Sequence, residues 1–399
     1  MECLKCLKLR NANRKLKTAN EYPATSNQTQ PMKPETVSGI KTLLEKGREQ
    51  GVYPGAVLLA ARGGVIRILH GVGYRTLSPH PLPMEKETLF DLASLTKPLA
   101  TTLAMMKLVD ARKINLDQPL EELLKQTLPE DKKRITLRLL LSHSAGFMDW
   151  MPFYLDLDYV APKDRKAILR ERLLNLPLAY APGTQVLYSD LGFMLLEWVI
   201  EKTTGLSLPR FVEQEFYAPM SLKKTGFFST KLPGRFTQGR FAATEDCPWR
   251  KRIIQGTAHD ENAYALGGYS GHAGLFGTAE EVHALANLLR GHWRGERKDY
   301  LRPETVRAFF TRQDMVDGST WALGWDKPSP VNSSAGRHFT STSVGHLGFT
   351  GASLWMDLDQ DVIIIFLSNR IHPTRKNEKI RAFRPVLHDR VMEAFGLAR

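Results

Sequence analysis

The order of sequence patterns predicts an α/β protein of the α+β kind: one sheet built from both ends of the chain, flanked by helices, and a mostly helical lobe drawn from the middle. Three observations predict it. Two β-rich runs, residues 55–61 and 65–71, lie near the start around Arg62-Gly63-Gly64, a hairpin signal. Three more strand-like runs, residues 343–345, 353–357 and 362–369, crowd the last quarter. Between them, apolar residues recur at three- and four-residue spacing, the period of helices. Both sets of strands need cover, and one shared sheet is the economical way to give it.

Taken in order, residues 1–34 are polar and basic and read as a disordered tail and linker. Residues 35–399 follow as a single domain, with an α/β lobe from 35–92 and 300–399 and a helical lobe from 93–299. A helix is predicted over 35–49, ahead of the hairpin. A second begins around Ser94, where Leu99, Leu103, Met106 and Leu108 share one face. Asn115-Leu116-Asp117 reads as a turn and cap. Residues 135–141 form a helix stopped at Ser142-His143-Ser144-Ala145-Gly146. Pro182-Gly183-Thr184 turns the chain into an amphipathic helix over 191–204 that Gly205 ends. A short helical pattern follows over 207–217, then an irregular stretch over 229–262. Residues 267–277 carry too many glycines for an ordinary helix or strand. Helices are predicted over 279–290, 303–312 and 380–395, and no internal repeat is visible.

With 399 residues, 42% of them apolar, the chain is long enough to bury a large core. The densest apolar run, residues 362–367, is strand-sized, so no integral membrane segment is expected. The net charge is +13. Basic residues gather in the tail and again at Arg370, Arg375, Lys376, Lys379, Arg381 and Arg384. No nucleic-acid motif accompanies them, so they read as a solvated basic face and nucleic acid is not an expected partner. Cys3 and Cys6 have redox or zinc spacing, but no second pair or neighbouring histidine completes a site, and with Cys247 they make no disulfide framework. The start lacks the apolar segment of a secretory signal. The expectation is a cytoplasmic protein as the sequence stands, and a periplasmic one if the true start differs.

The chemistry is carried by Ser94-Leu95-Thr96-Lys97. A serine hydroxyl needs a base to become a nucleophile. At i and i+3 of a helix, Ser94 and Lys97 share a face. A lysine in a desolvated site has a lowered pKa and can take the serine proton. Downstream stand Tyr188-Ser189-Asp190 and His346-Leu347-Gly348. Together the three segments resemble the signature of the serine β-lactamase and penicillin-binding-protein superfamily. Tyrosine in the second segment is similar to class C β-lactamases, related carboxylesterases and DD-peptidases. The blocks His259-Asp260-Glu261-Asn262-Ala263 and Gly271-His272-Ala273-Gly274-Leu275-Phe276 resemble hydrolases of the penicillin-binding-protein 4B type. The likeness spans about residues 37–399.

The resemblance implies a β-lactamase/transpeptidase-like fold with an antiparallel sheet, and roles for named residues. Ser94 is the acylated nucleophile, Lys97 assists its deprotonation, and Tyr188 shuttles the proton. The backbone N–H groups of Ser94 and Phe349 form the oxyanion hole. Asp190, His346, Gly348 and Thr350 face the substrate, Thr350 supplying the hydroxyl that Leu347 lacks. The implied reaction is hydrolysis of small esters or of D-amino-acid peptide or amide bonds through an acyl-enzyme, with weak β-lactamase activity. No cofactor and no metal is implied. The alternative is a penicillin-binding sensor that is acylated without turnover. Two departures bear on substrate: His346 stands where the family usually has lysine, and Asp190 where it often has asparagine. Rival chemistries fit less well. Ser144 and Ser270 both miss Gly-x-Ser-x-Gly, and His259, Asp260 and His272 fit no helical zinc spacing. For these last three the expected role is structural or pocket-lining.

Overall fold

The computed structural model describes residues 34–228 and 240–398. The expected tail up to residue 33, with Cys3 and Cys6, lies outside them, as does residues 229–239 of the irregular stretch. Along the chain the strands are β1 (Gly55–Arg62), β2 (Val65–Thr76), β3 (Leu82–Pro83), β4 (Phe90–Asp91), β5 (Gly226–Phe227), β6 (Asp246–Cys247), β7 (Arg252–Ile253), β8 (Leu275–Gly277), β9 (Val344–Leu347), β10 (Ser353–Asp357) and β11 (Val362–Ser368). Six of them form one antiparallel sheet in the order β3-β2-β1-β11-β10-β9. The first and last strands of the chain meet at its centre, where Ala56 lies opposite Ser368 and Arg62 opposite Val362.

β1 is apolar from Ala56 to Ala61 and β11 from Val362 to Leu367 because both faces of the sheet are covered there. Ala56, Leu58, Ala60, Ile364 and Phe366 pack with Ile40 and Leu44 of helix Pro34–Glu49 and with Phe383 and Leu387 of helix Ile380–Ala394. Val57, Leu59, Ala61, Ile363 and Ile365 point the other way, into the core shared with the helical lobe. Burial on two sides turns the alternation of a half-exposed strand into a continuous apolar run. Helix Ala279–Trp293 packs on β1 and β11 through a stripe that includes Val282, Leu285 and Leu289. Its sequence position is inside the predicted helical lobe, but its apolar face belongs to the sheet.

The glycine-rich run needs correction. Gly267, Gly268 and Gly274 all have φ near +100°, which only glycine adopts freely. Their turns end in a true strand, β8, at the centre of a small sheet of order β4-β8-β5. That sheet fixes β4, which leads straight into Ser94. A second correction concerns β9, which runs on to Leu347 and so takes His346 into the sheet.

Candidate active site

The nucleophile segment leaves β4 through a sharp turn. Ala93 adopts φ +47°, an uncommon conformation for a residue with a side chain. Asp91 holds the turn: its carboxylate accepts the Ala93 N–H at 2.8 Å and the His259 N–H at 2.6 Å. The chain then makes a 3₁₀ turn, Ala93–Leu95, and a π-helical stretch, Lys97–Thr102, before α-helix Leu103–Asp110. The expected α-helix from Ser94 is therefore displaced by several residues. Pro98 has no N–H to give to a helical ladder, and Thr96 and Thr101 are tied elsewhere, to Ala93 O and Gly271 O, both at 2.6 Å. Ser94 and Lys97 nevertheless meet, with Nζ 3.0 Å from Oγ.

Lys97 is fully buried, and each of its three N–H bonds has an acceptor: Ser94 Oγ, Asp190 Oδ1 at 2.6 Å and the His272 carbonyl at 3.3 Å. Burial pulls its pKa down, but the Asp190 carboxylate and the Tyr188 phenol more than reverse this and hold it above the ordinary lysine value. Two expectations change together. Lys97 rests as an ammonium rather than as a neutral base, and Asp190 is its counter-ion rather than a substrate contact. A buried cation left without a partner is strongly unfavourable, so the carboxylate is drawn to it. Asp190 is the first residue of helix Asp190–Thr204, whose N-cap is Ser189; the positive end of the helix favours a carboxylate there.

Tyr188 is half-buried, and its phenol reaches both Lys97 and Ser94. Desolvation raises its pKa above 10 against the opposing pull of Lys97. Two residues with no predicted role hold it in place. His143 packs 4.7 Å from the Tyr188 ring, and its Nδ1 accepts the Ser189 N–H at 3.0 Å. Burial and the Lys97 charge keep it neutral. Trp321 lies 4.3 Å from His143 and 5.7 Å from both Tyr188 and His346. His143 lies in the segment that stops the predicted helix over 135–141, whereas Trp321 has no local signal at all.

The third segment also departs from its expected roles. His346 is buried in β9, its Nδ1 bonded to the Leu347 carbonyl at 2.8 Å. Burial, aided by Lys97, pushes its pKa to about 3, so the ring is neutral where the family usually has a lysine charge. Gly348 gives clearance: a Cβ there would lie 2.6 Å from the Leu92 carbonyl. Thr350 is buried and its hydroxyl donates to the Asp91 carbonyl at 2.8 Å, so it is not turned to substrate. Phe349 is 47% exposed, stacks on His259 at 5.6 Å, and has its carbonyl gripped by Arg370 Nε and Nη2 at 3.0 and 2.7 Å.

His259, Asp260 and His272 do not gather as one set. His259 turns its Nε2 to Glu245 at 3.3 Å. His272 Nε2 lies 2.9 Å from Asp260 Oδ1, and ligand-type atoms of Asp190, Asp260 and His272 lie within 4.8 Å of one another. Asp190 in that trio is bound to the chain's own ammonium. A role for Asp260 and His272 beside the nucleophile is thus visible only in the tertiary structure.

The Beta-lactamase family pattern matches residues 40–386. The chain is 32% identical over 364 residues to the N-acetylmuramyl-L-alanine amidase of Bacillus subtilis (strain 168), covering 84% of this chain and 80% of that protein. It is 33% identical over 358 residues to a Salmonella typhimurium protein named "Putative D-alanyl-D-alanine carboxypeptidase", covering 82% and 81%. Two solved structures share the fold. EstCE1, a hydrolase with promiscuous acyltransferase activity, has a TM-score of 0.68 at 22% identity over 88% of this chain and 99% of that one. The octameric penicillin-binding protein homologue from Pyrococcus abyssi has a TM-score of 0.66 at 19% identity, over 88% and 77%. With Ser94, Lys97 and Tyr188 in contact and a family match across nearly the whole described chain, this protein belongs to the β-lactamase family, generally one of serine hydrolases.

Proposed function

We propose that the chain hydrolyses amide or ester bonds through an acyl-enzyme on Ser94, on small substrates that present no free carboxylate to the third segment. The observation that carries this is His346, buried and neutral where the family usually has a lysine. A charge-assisted hydrogen bond to a carboxylate contributes about 1.5–3 kcal/mol, about tenfold or more in affinity, and a neutral imidazole does not supply it. The preferred substrate class is then an ester, or an amide whose leaving amine continues as an amide. An N-acylated muramyl peptide fits this class, in keeping with the amidase name of one relative.

In this reading Lys97 works by its field. The ammonium stabilises negative charge on Ser94 Oγ and on the Tyr188 oxygen as the serine proton departs. In the reacting form, in which the Tyr188 phenol has first released its own proton to solvent, the phenolate takes the serine proton and returns it to the leaving group, and water reverses the sequence to free the acyl group. The N–H groups of Ser94 and Phe349 receive the oxyanion, and losing one such donor costs roughly 3–4 kcal/mol.

The test compares kcat/KM for four substrates: a neutral nitrophenyl ester, N-acetylmuramyl-L-alanine carboxamide, its free acid, and a chromogenic cephalosporin. The ester and the carboxamide should lead, and His346→Lys should shift the ratio toward the two acids. A wild type that prefers the acid or the cephalosporin would overturn the reading. A stable one-to-one adduct with every substrate and no turnover would favour a penicillin-binding sensor.

A further inference from the structure

Asp260 and His272 are not needed by the Ser94–Lys97–Tyr188 reading, yet they sit against it. Four charge-bearing side chains alternate in one pocket: Asp260 bonds His272, the His272 ring faces Asp190, and Asp190 bonds Lys97. His272 is 1% exposed, and its carbonyl also accepts from Lys97 Nζ. The loop cannot drift, because Glu197 accepts Ser270 Oγ and the Gly271 N–H, both at 2.9 Å, and Thr101 holds Gly271 O. Asp260 is fixed in turn as the N-cap of helix Glu261–Ala265, accepting the Ala263 N–H at 2.7 Å.

We propose that Asp260 and His272 are positioning residues for the nucleophile's ammonium, and that the working enzyme carries His272 as an imidazolium sharing Asp190 with Lys97. The inference rests on the acyl-enzyme reading of Ser94. With His272 protonated, two carboxylates face two cations and the pocket is balanced. With it neutral, the pocket has a net negative charge beside Ser94, where reaction builds more negative charge on the serine oxygen and the oxyanion. Like charge in a desolvated site opposes that step. The groups facing His272 are Asp260, Asp190 and Lys97, with Tyr188 beyond Lys97. His259 and Asp91 lie behind Asp260, and the Glu197–Lys166 pair lies under the loop. Burial disfavours the imidazolium, but the two carboxylates outweigh it and hold the ring above its ordinary value. The other ring nitrogen, Nδ1, is buried without a hydrogen-bond partner among the described residues, so a proton there has no local acceptor and its cost is set against the attraction of the Asp260 and Asp190 carboxylates.

The test is the pH profile of kcat/KM on a neutral nitrophenyl ester. The active form needs a deprotonated Tyr188, with Lys97 kept as an ammonium, and a protonated His272. Below both pKa values the logarithm of the rate rises with pH, because the base fraction grows. Above the His272 titration, gain of base and loss of imidazolium cancel, and the profile turns flat. Wild type should therefore break to a plateau somewhat above pH ~6.5. Asp260→Asn should move the break down by about one pH unit, and Asp260→Glu should restore it. His272→Gln should lose the break, continue to rise, and be about tenfold slower near neutral pH. A purely structural role would lower all rates in parallel and leave the break in place, and that result would overturn the proposal. The His272 ring titration by NMR in Ser94→Ala gives a readout independent of activity: a midpoint at or below the ordinary value, or one that Asp260→Asn does not move, also refutes it. A wild type that takes no fluorophosphonate adduct on Ser94 refutes the acyl-enzyme reading itself, whereas an intact adduct with an unmoved break refutes the pair alone.

Discussion

Lys97 is the residue on which the site's chemistry turns. All three of its donors are engaged, one by Ser94, the proposed nucleophile. Ser94→Ala should lower kcat on the neutral ester by on the order of 10⁶, the typical loss when one member of such a unit is removed. Peptide mapping of a fluorophosphonate adduct should place the label on Ser94; label on Ser144 or Ser270 instead would refute the assignment. Asp190→Asn removes the counter-ion of a fully buried ammonium. Breaking a buried pair in this way costs about 3–5 kcal/mol, so the denaturant midpoint should fall clearly, and an unchanged midpoint would mean Lys97 does not rest charged. The Ser94–Lys97 contact was legible as an i, i+3 spacing. That Lys97 is charged was not, because its counter-ion is 93 residues away.

At the scale of elements, the site depends on how closely β9 approaches the turn before Ser94. Gly348 is the closest point, and an added methyl would press on the Leu92 backbone. Gly348→Ala should cost about 1–3 kcal/mol through overpacking and lower kcat more than it raises KM, because it moves the turn after β9 that bears Phe349 away from Ser94. Matched thermal melts and ester kinetics check this; a silent substitution would show that the two segments slide freely. Helices with strong periodicity, such as the one following Ser189, were readable to within a residue or two. The 3₁₀ and π turns around Ser94 were not, since Thr96 and Thr101 choose partners outside the local helix.

For the molecule as a whole, Glu245 ties together parts of the chain that are distant in sequence. It is nearly buried, pairs with Arg375 at 2.7 Å, and reaches His259 at 3.3 Å. Its hydrogen bonds and these charges outweigh burial and lower its pKa from 4.5 to about 2. A carboxylate with a depressed folded-state pKa adds stability above its unfolded pKa and loses it as pH falls through the folded one. The contribution is thus complete above pH ~4.5 and vanishes toward pH ~2. Glu245→Gln should lower the melting temperature at neutral pH and narrow the gap to wild type as pH falls across that window. A gap that stays constant with pH would remove Glu245 from the acid response.

Periodicity and turn chemistry in the sequence alone determined that strands at both chain ends pair into one sheet and that helices fill the middle, while the Ser94–Lys97 spacing and the family resemblance of the Tyr188 segment marked the three side chains proposed to react. Those properties are local: a spacing, a glycine, an apolar run. The protonation states and the division of labour were decided only by tertiary structure. Asp190 as counter-ion, His346 as a buried neutral ring, Thr350 as a tie to Asp91, and the Asp260–His272 pair beside Lys97 all depend on burial and on charges brought from distant segments. Desolvation and Coulomb interactions act through space, and no linear pattern of residues records which groups the fold will place within a few ångströms of one another.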